Sequence, residues 1–240
     1  MSEFPPSYYK ATTERWTKIE DTLAELLHQI FHSGNLPGKR LLDFGCGPFI
    51  YRMASASLRY NDIVLADYSE TNRKEIQKWL NEDPNTFDLT PFLARTAILE
   101  GFEEIKEGVK RIERRIRQSV KTVIGCDGLS DQILPKGIGK FDVITCFYCI
   151  TNFAFSDEEH KKFLRKLSAY LNDDGVVIVI TVFGVDKYQL HQWIDHYPCK
   201  KESIRQIIKD GGFRVQKWYS HENTTLPEHQ CLYTLIKLRS

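Results

Sequence analysis

Apolar residues recur at helical spacing through Trp16, Ile19, Leu23, Leu26, Leu27 and Ile30, and Gly34 with Pro37-Gly38 ends the pattern. The spacing predicts an amphipathic helix that leads into a first strand. That strand is the run Arg40 to Phe44, which stops at Gly45-Cys46-Gly47-Pro48 before helical spacing resumes from Tyr51 to Leu58. A second strand-like run, Asp62 to Ala66, ends at Asp67, and a helix with apolar positions Ile76, Trp79 and Leu80 follows. Glu103 to Val123 places Ile105, Val109, Ile112, Ile116 and Val120 on one face and leaves Lys110, Arg111, Arg114, Arg115 and Arg117 largely elsewhere. Val120 to Ile124, Phe141 to Phe147 and Val176 to Phe183 read as three more strands, the last two apolar enough to be buried and parallel. Between them, Phe163, Leu167, Tyr170 and Leu171 predict a helix closed by Asn172-Asp173-Asp174-Gly175. Ser203 to Asp210 reads as a last helix, and Cys231 to Leu238 as a terminal strand.

This alternation implies an α/β fold: a doubly wound, mostly parallel sheet under an N-terminal helical cap, with its ligand at the carboxyl ends of the strands. At 240 residues, 42% hydrophobic and 27% charged, the chain can bury a core, and its balance excludes disordered, collagenous and disulfide-scaffold classes. No repeat or low-complexity linker divides it. One domain over residues 1–240 is expected, with residues 1–38 as a lid and helix within it.

Thirty-three basic residues face 32 acidic ones, a net charge of +1, so no global field attracts nucleic acid or lipid headgroups. The basic stripe from Lys106 to Lys121 is interleaved with Glu107 and Glu113, as a solvated face would be. No run of eighteen apolar residues appears, and the start MSEFPPSYYK is polar where a signal peptide would be apolar. Six cysteines, mostly in apolar runs, fit reduced thiols. A soluble, cytoplasmic protein is expected.

The glycines at 45 and 47 follow a strand, where a residue without Cβ lets the backbone turn sharply and approach a ligand closely. A dinucleotide site would want a third Gly or Ala at position 50, but Ile50 is there, and Pro48 lacks an amide donor. Asp67, about twenty residues on, stands where an acid accepts both hydroxyls of a ribose. Either feature has a plainer reading, a mere turn or a helix N-cap. Together they point to an adenosine ligand without pyrophosphate, which S-adenosylmethionine satisfies.

The segments Leu42-Asp43-Phe44-Gly45-Cys46-Gly47-Pro48-Phe49-Ile50-Tyr51 and Asp67-Tyr68-Ser69-Glu70-Thr71-Asn72 resemble the nicotinamide, phenylethanolamine and indolethylamine N-methyltransferase family. Further likeness lies at Tyr8-Tyr9-Lys10, Trp79-Leu80, Pro84, Phe87-Asp88 and Cys126-Asp127. The resemblance implies a Rossmann-like class I methyltransferase, mostly monomeric in this family. It puts the methionine part of S-adenosylmethionine on Tyr9, Gly45, Gly47 and Tyr51, and the ribose on Asp67 and Asn72. Asp127, flanked by Cys126 and Gly128, would hold the adenine amino group, and Cys146 replaces a threonine that faces the cofactor.

The resemblance also implies an acceptor pocket, here Phe4, Tyr8, Phe147, Thr151, Thr181, Val182, Tyr188 and His196. Thr151 and Thr181 stand where relatives carry acids, so the relatives' acceptor preferences do not transfer. For Phe147 and Tyr188 ordinary packing is an equal reading, and His196 reads better as a surface or cap histidine. N-methylation of a small heteroaromatic or arylalkylamine is the expected activity; S- or O-methylation and a silent cofactor-binding role stay open. No metal is expected. Cys146 and Cys149 should point to opposite faces of a strand, and no second cysteine pair or His/Cys cluster completes a zinc site.

Overall fold

The computed structural model describes residues 13–184, 186–189, 193–222 and 230–238, and side chains from Glu20 to Trp218 except at 182, 183, 185, 188–194 and 201. Phe4, Tyr8 and Tyr9 lie outside the described residues, as do the side chains of Val182 and Tyr188.

Helix α1 (Thr13–His32) leads to β1 (Arg40–Phe44) and β2 (Asp62–Asp67), followed by α2 (Glu70–Leu80), α3 (Thr90–Leu99) and α4 (Ile105–Ser119). Then come β3 (Val120–Gly125), β4 (Phe141–Phe147), α5 (Asp157–Ser168) and β5 (Leu171–Phe183). A hairpin of β6 (Lys187–Gln189) and β7 (Trp193–Asp195) precedes α6 (Lys201–Asp210), β8 (Phe213–Glu222) and β9 (Gln230–Leu238).

Seven strands form one sheet in the order β3-β2-β1-β4-β5-β9-β8. The first five are parallel, and β9 is antiparallel to both neighbours. Strand order reverses between β1 and β4, which opens a crevice at their carboxyl ends. Alternation along the strands builds the two cores. Leu41, Ile63, Leu65, Val143 and Ile178 pack toward α1 to α4, while Leu42, Val64, Ile144 and Val177 pack toward α5 and α6. The doubly wound sheet expected from sequence is thus the fold. No described helix is long and apolar enough to cross a membrane.

Several elements differ from expectation. Residues 51–58 form two 3-10 turns, Ile50–Met53 and Ala56–Leu58, and not an α-helix; the first is buried throughout, so its apolar spacing marks no exposed helical face. Val120 leaves the helical face assigned to it, because its backbone is already extended and begins β3. Asn172 to Gly175 do not close a helix. They sit within β5 as an irregularity, since Leu171 pairs with Phe141 but Val176 pairs with Val143.

Candidate active site

The turn after β1 is bound to the end of β2. Gly45 and Cys46 amides both donate to the Ala66 carbonyl, at 2.8 and 3.1 Å. Gly45 and Gly47 have φ of +70° and +57°, and a Cβ on Gly45 would lie 2.6 Å from the Cβ of Cys149. Both conformation and space therefore require glycine at position 45.

Asp67, the last residue of β2, is 7% exposed. Its Oδ2 accepts from the Gly47 amide at 2.7 Å, and its Oδ1 from the Ser69 amide at 2.9 Å and Asn72 Nδ2 at 3.0 Å. Burial pushes its carboxyl above the ordinary range, against the pull of Asn72 and the two amides. The cap of α2 is Ser69, whose hydroxyl accepts from the Asn72 amide, so the helix does not need Asp67 as its cap. Asn72 Oδ1 is buried and has no partner among the described residues. A hydroxyl-bearing ligand would satisfy it and the carboxylate's remaining lone pair.

At the end of β3, the Cys126 amide donates to the Asp67 carbonyl at 3.2 Å, and Asp127 Oδ1 accepts from the Leu129 amide at 2.9 Å. Gly128 is buried, and a Cβ there would lie 2.5 Å from the Phe153 ring. The ends of β1, β2 and β3 thus bring Gly45, Gly47, Asp67, Asn72 and the Cys126 to Gly128 segment together.

Asp43, to which sequence reasoning gave no role, lies in β1 just before the glycine turn. It is buried beside Thr145, its register partner, whose hydroxyl donates to Oδ1 at 2.7 Å. Its Oδ2 is buried without a partner among the described residues. Burial pushes its carboxyl up to about 6, against the Thr145 hydrogen bond and the Arg52 charge. An acid inside an otherwise apolar strand, two residues before the turn, was the available signal.

Tyr51 is buried, with its ring stacked on Phe92 at 4.5 Å. Arg52 reaches from the same turn to Glu20 of α1 at 2.7 Å, with its guanidinium 4.2 Å from the centre of the Phe49 ring. Burial is the largest single influence and opposes the arginine's charge, but Glu20 together with Tyr51 and Tyr148 holds Arg52 above its ordinary value.

On the other side of the crevice, the Tyr148 amide donates to the Ile180 carbonyl at 2.8 Å, joining the ends of β4 and β5. The Tyr197 amide donates to the Thr151 carbonyl at 3.0 Å, which brings the segment after β7 to the same place. Thr151 and Thr181 are buried, and neither hydroxyl has a partner among the described residues. His196 is buried, so of the surface-or-cap reading the surface half does not hold; its amide donates to the Asp186 carbonyl at 2.8 Å. Phe147 is packed in the core.

The expectation that Cys146 and Cys149 point apart is wrong. Strand β4 ends at Phe147, and Tyr148, at φ +55°, turns the chain so that the two sulfurs lie 2.9 Å apart. Cys146 itself is fully buried. Among the described residues, no three His, Cys, Asp or Glu side chains gather into a metal site.

Known proteins resemble this chain in architecture and in sequence. The magnesium protoporphyrin IX methyltransferase of Synechocystis, solved with S-adenosylmethionine bound, superposes with a TM-score of 0.58 at 17% identity, covering 100% of this chain and 87% of that one. The rabbit indolethylamine N-methyltransferase (Oryctolagus cuniculus) is 29% identical over 201 residues, 80% of this chain and 73% of its own. The human nicotinamide N-methyltransferase is 27% identical over 251 residues, 98% of this chain and 93% of its own. The pattern of the NNMT/PNMT/TEMT family matches residues 2–236, nearly the whole sequence, and the chain belongs to that family.

Proposed function

We propose that this chain is an N-methyltransferase that draws its methyl group from S-adenosylmethionine and transfers it to an uncharged nitrogen of a small molecule. The observation that carries the reading is the cradle of Gly47, Asp67 and Asn72 beside the bare glycine turn, with Asn72 Oδ1 still seeking a donor. Asp67 and Asn72 hold the ribose, and Asp127 the adenine amino group. Gly45 and Gly47 admit the methionine part, and Asp43 Oδ2 supplies the negative charge for its ammonium.

When bound, the sulfonium supplies an electrophilic methyl group. The protein's part is to hold the acceptor lone pair in line at about 3 to 3.5 Å and to keep water out. Thr151 and Thr181 offer uncharged hydroxyls to the acceptor, and an uncharged partner suits a heteroaromatic nitrogen, which needs no deprotonation. An ammonium acceptor would instead want a carboxylate to take its proton. Tyr9 and Tyr51 complete the cofactor seat, and Phe4, Tyr8, Val182, Tyr188 and His196 the acceptor side. The first 38 residues act as lid and helix within one domain.

The reading includes a cytoplasmic monomer that binds neither nucleic acid nor membrane, supported by a net charge of only +1 and cysteines in apolar runs. Calorimetric titration of S-adenosylmethionine into the wild type and Asp67→Ala tests the seat. Micromolar binding lost in the variant supports it, and no binding to the wild type refutes it. A tritiated-methyl screen of pyridines, indolethylamines, phenylethylamines, phenols and thiols then names the acceptor.

A further inference from the structure

The return of Cys149 onto Cys146 places a dithiol directly beneath the glycine turn. Cys149 Sγ lies 2.9 Å from Cys146 Sγ and donates to the Phe44 carbonyl at 3.3 Å. Its Cβ packs so closely on Gly45 that a methyl group there would lie 2.6 Å away. A disulfide bond is about 2.05 Å long, so the two sulfurs need to approach by only about 0.85 Å. Cys149 is partly exposed and Cys146 fully buried, which divides the roles between them. Among the described cysteines, which also include Cys46, Cys126 and Cys199, these two have their sulfurs in contact.

We propose that Cys146 and Cys149 are an oxidative modification site: a hydroperoxide converts them to an intrachain disulfide, reversibly, and the crosslink loosens the glycine turn. The Cys149 thiol gives up its proton as its sulfur attacks one peroxide oxygen; the O–O bond breaks and leaves a Cys149 sulfenic acid and hydroxide. The Cys146 thiolate then attacks the Cys149 sulfur, forming the S–S bond as the S–O bond breaks and a second hydroxide leaves. The two thiol protons end on the two hydroxides, so two thiols and one hydrogen peroxide become one disulfide and two waters. Both sulfurs are oxidised and both oxygens reduced. A small dithiol such as dithiothreitol reverses the bond.

Forming the bond pulls Cys149 Sγ from the Phe44 carbonyl and moves the side chain that packs on Gly45. The residues disturbed are those that anchor the turn to Ala66. Because that turn is the proposed cofactor seat, methyl transfer would follow the redox state. That consequence alone rests on the proposed function.

The test uses no cofactor, so the two ideas can fail separately. The folded protein is treated with hydrogen peroxide, blocked with iodoacetamide and digested with trypsin, which leaves both cysteines in the peptide 141–161. A loss of 2 Da with no alkyl groups added, reversed by dithiothreitol, is expected in the wild type. Cys146→Ser and Cys149→Ser should not show it. A peptide that still takes two alkyl groups, gains oxygen irreversibly, or pairs with another cysteine overturns the proposal, and the wild-type arm decides this by itself. Amide hydrogen exchange across residues 45–49 should run at least severalfold faster in the oxidised protein. Unchanged exchange there would refute the coupling to the turn.

Discussion

The carboxylate of Asp67 accepts the Gly47 amide at 2.7 Å, so one side chain both closes the glycine turn and forms the base of the proposed ribose cradle. Removing it should therefore damage the turn as well as the binding. Asp67→Ala loses contacts to Gly47, Ser69 and Asn72, and we expect destabilisation of about 2–4 kcal/mol together with at least a 100-fold loss of S-adenosylmethionine affinity. Urea unfolding and calorimetry on the same preparations check both. A variant as stable as the wild type would show that the turn closes without Asp67.

Asp43 should make the stability of the protein depend on pH. Its carboxyl is raised to about 6 from an ordinary value of 3.8, chiefly by burial. Above pH 6 the folded protein carries the full cost of a buried ionised acid, and that cost is relieved as pH falls from about 6 toward about 4. Wild type should gain stability relative to Asp43→Asn over that window, by about 3 kcal/mol in all. Cofactor affinity should move the opposite way, falling below pH 6 as the charge that attracts the ammonium is lost. Parallel unfolding curves for the two proteins between pH 4 and 7 would rule out this origin.

Glu20 and Arg52 are 4% and 6% exposed, which makes the pair asymmetric to mutation. Glu20→Gln leaves a buried guanidinium without its counter-charge and should cost about 3–5 kcal/mol, whereas Glu20→Gln combined with Arg52→Met should recover much of it. The midpoints of denaturant unfolding for both singles and the double decide. Additive losses would mean that the two side chains act separately.

Thr151 separates stability from function. Its hydroxyl is buried with no partner among the described residues, so Thr151→Val should leave the protein equally stable or raise it by about 1 kcal/mol. If that hydroxyl meets the acceptor, kcat/KM should fall roughly tenfold with cofactor affinity unchanged. Thermal unfolding and steady-state kinetics give the two readouts, and unaltered kinetics would remove Thr151 from the acceptor pocket.

The parts of the molecule that were legible in sequence depend on local chemistry. The glycines at 45 and 47 announce a turn, and the acid closing β2 announces a polar site, because each is improbable in an apolar run. Helix α3, over Thr90–Leu99, was missed: its apolar residues crowd the chain without a clean stripe, and its Pro lies at the start, where a helix tolerates it. The β6–β7 hairpin was missed because its three-residue strands carry little periodic signal, and the ten-residue β8 because a bulge between Val215 and Lys217 breaks its alternation. The Cys146–Cys149 contact was misjudged because strand alternation was carried past Phe147, where the backbone of Tyr148 leaves the strand. The Glu20–Arg52 pair spans 32 positions, a separation at which only the folded chain can show a partnership.

The order of strands sets a problem of timing. β9 follows β8 in the chain but lies inside it, bonded to β5 from Val176 to Phe183 on one side and to β8 on the other. As the ribosome delivers the chain, β5 emerges long before its neighbour and presents a row of unsatisfied amides and carbonyls. If β8 docked there first, it would occupy the berth of β9 and strand the later segment outside. A β8–β9 hairpin formed before either strand meets the sheet would avoid this, closing the edge in one step with a preassembled pair.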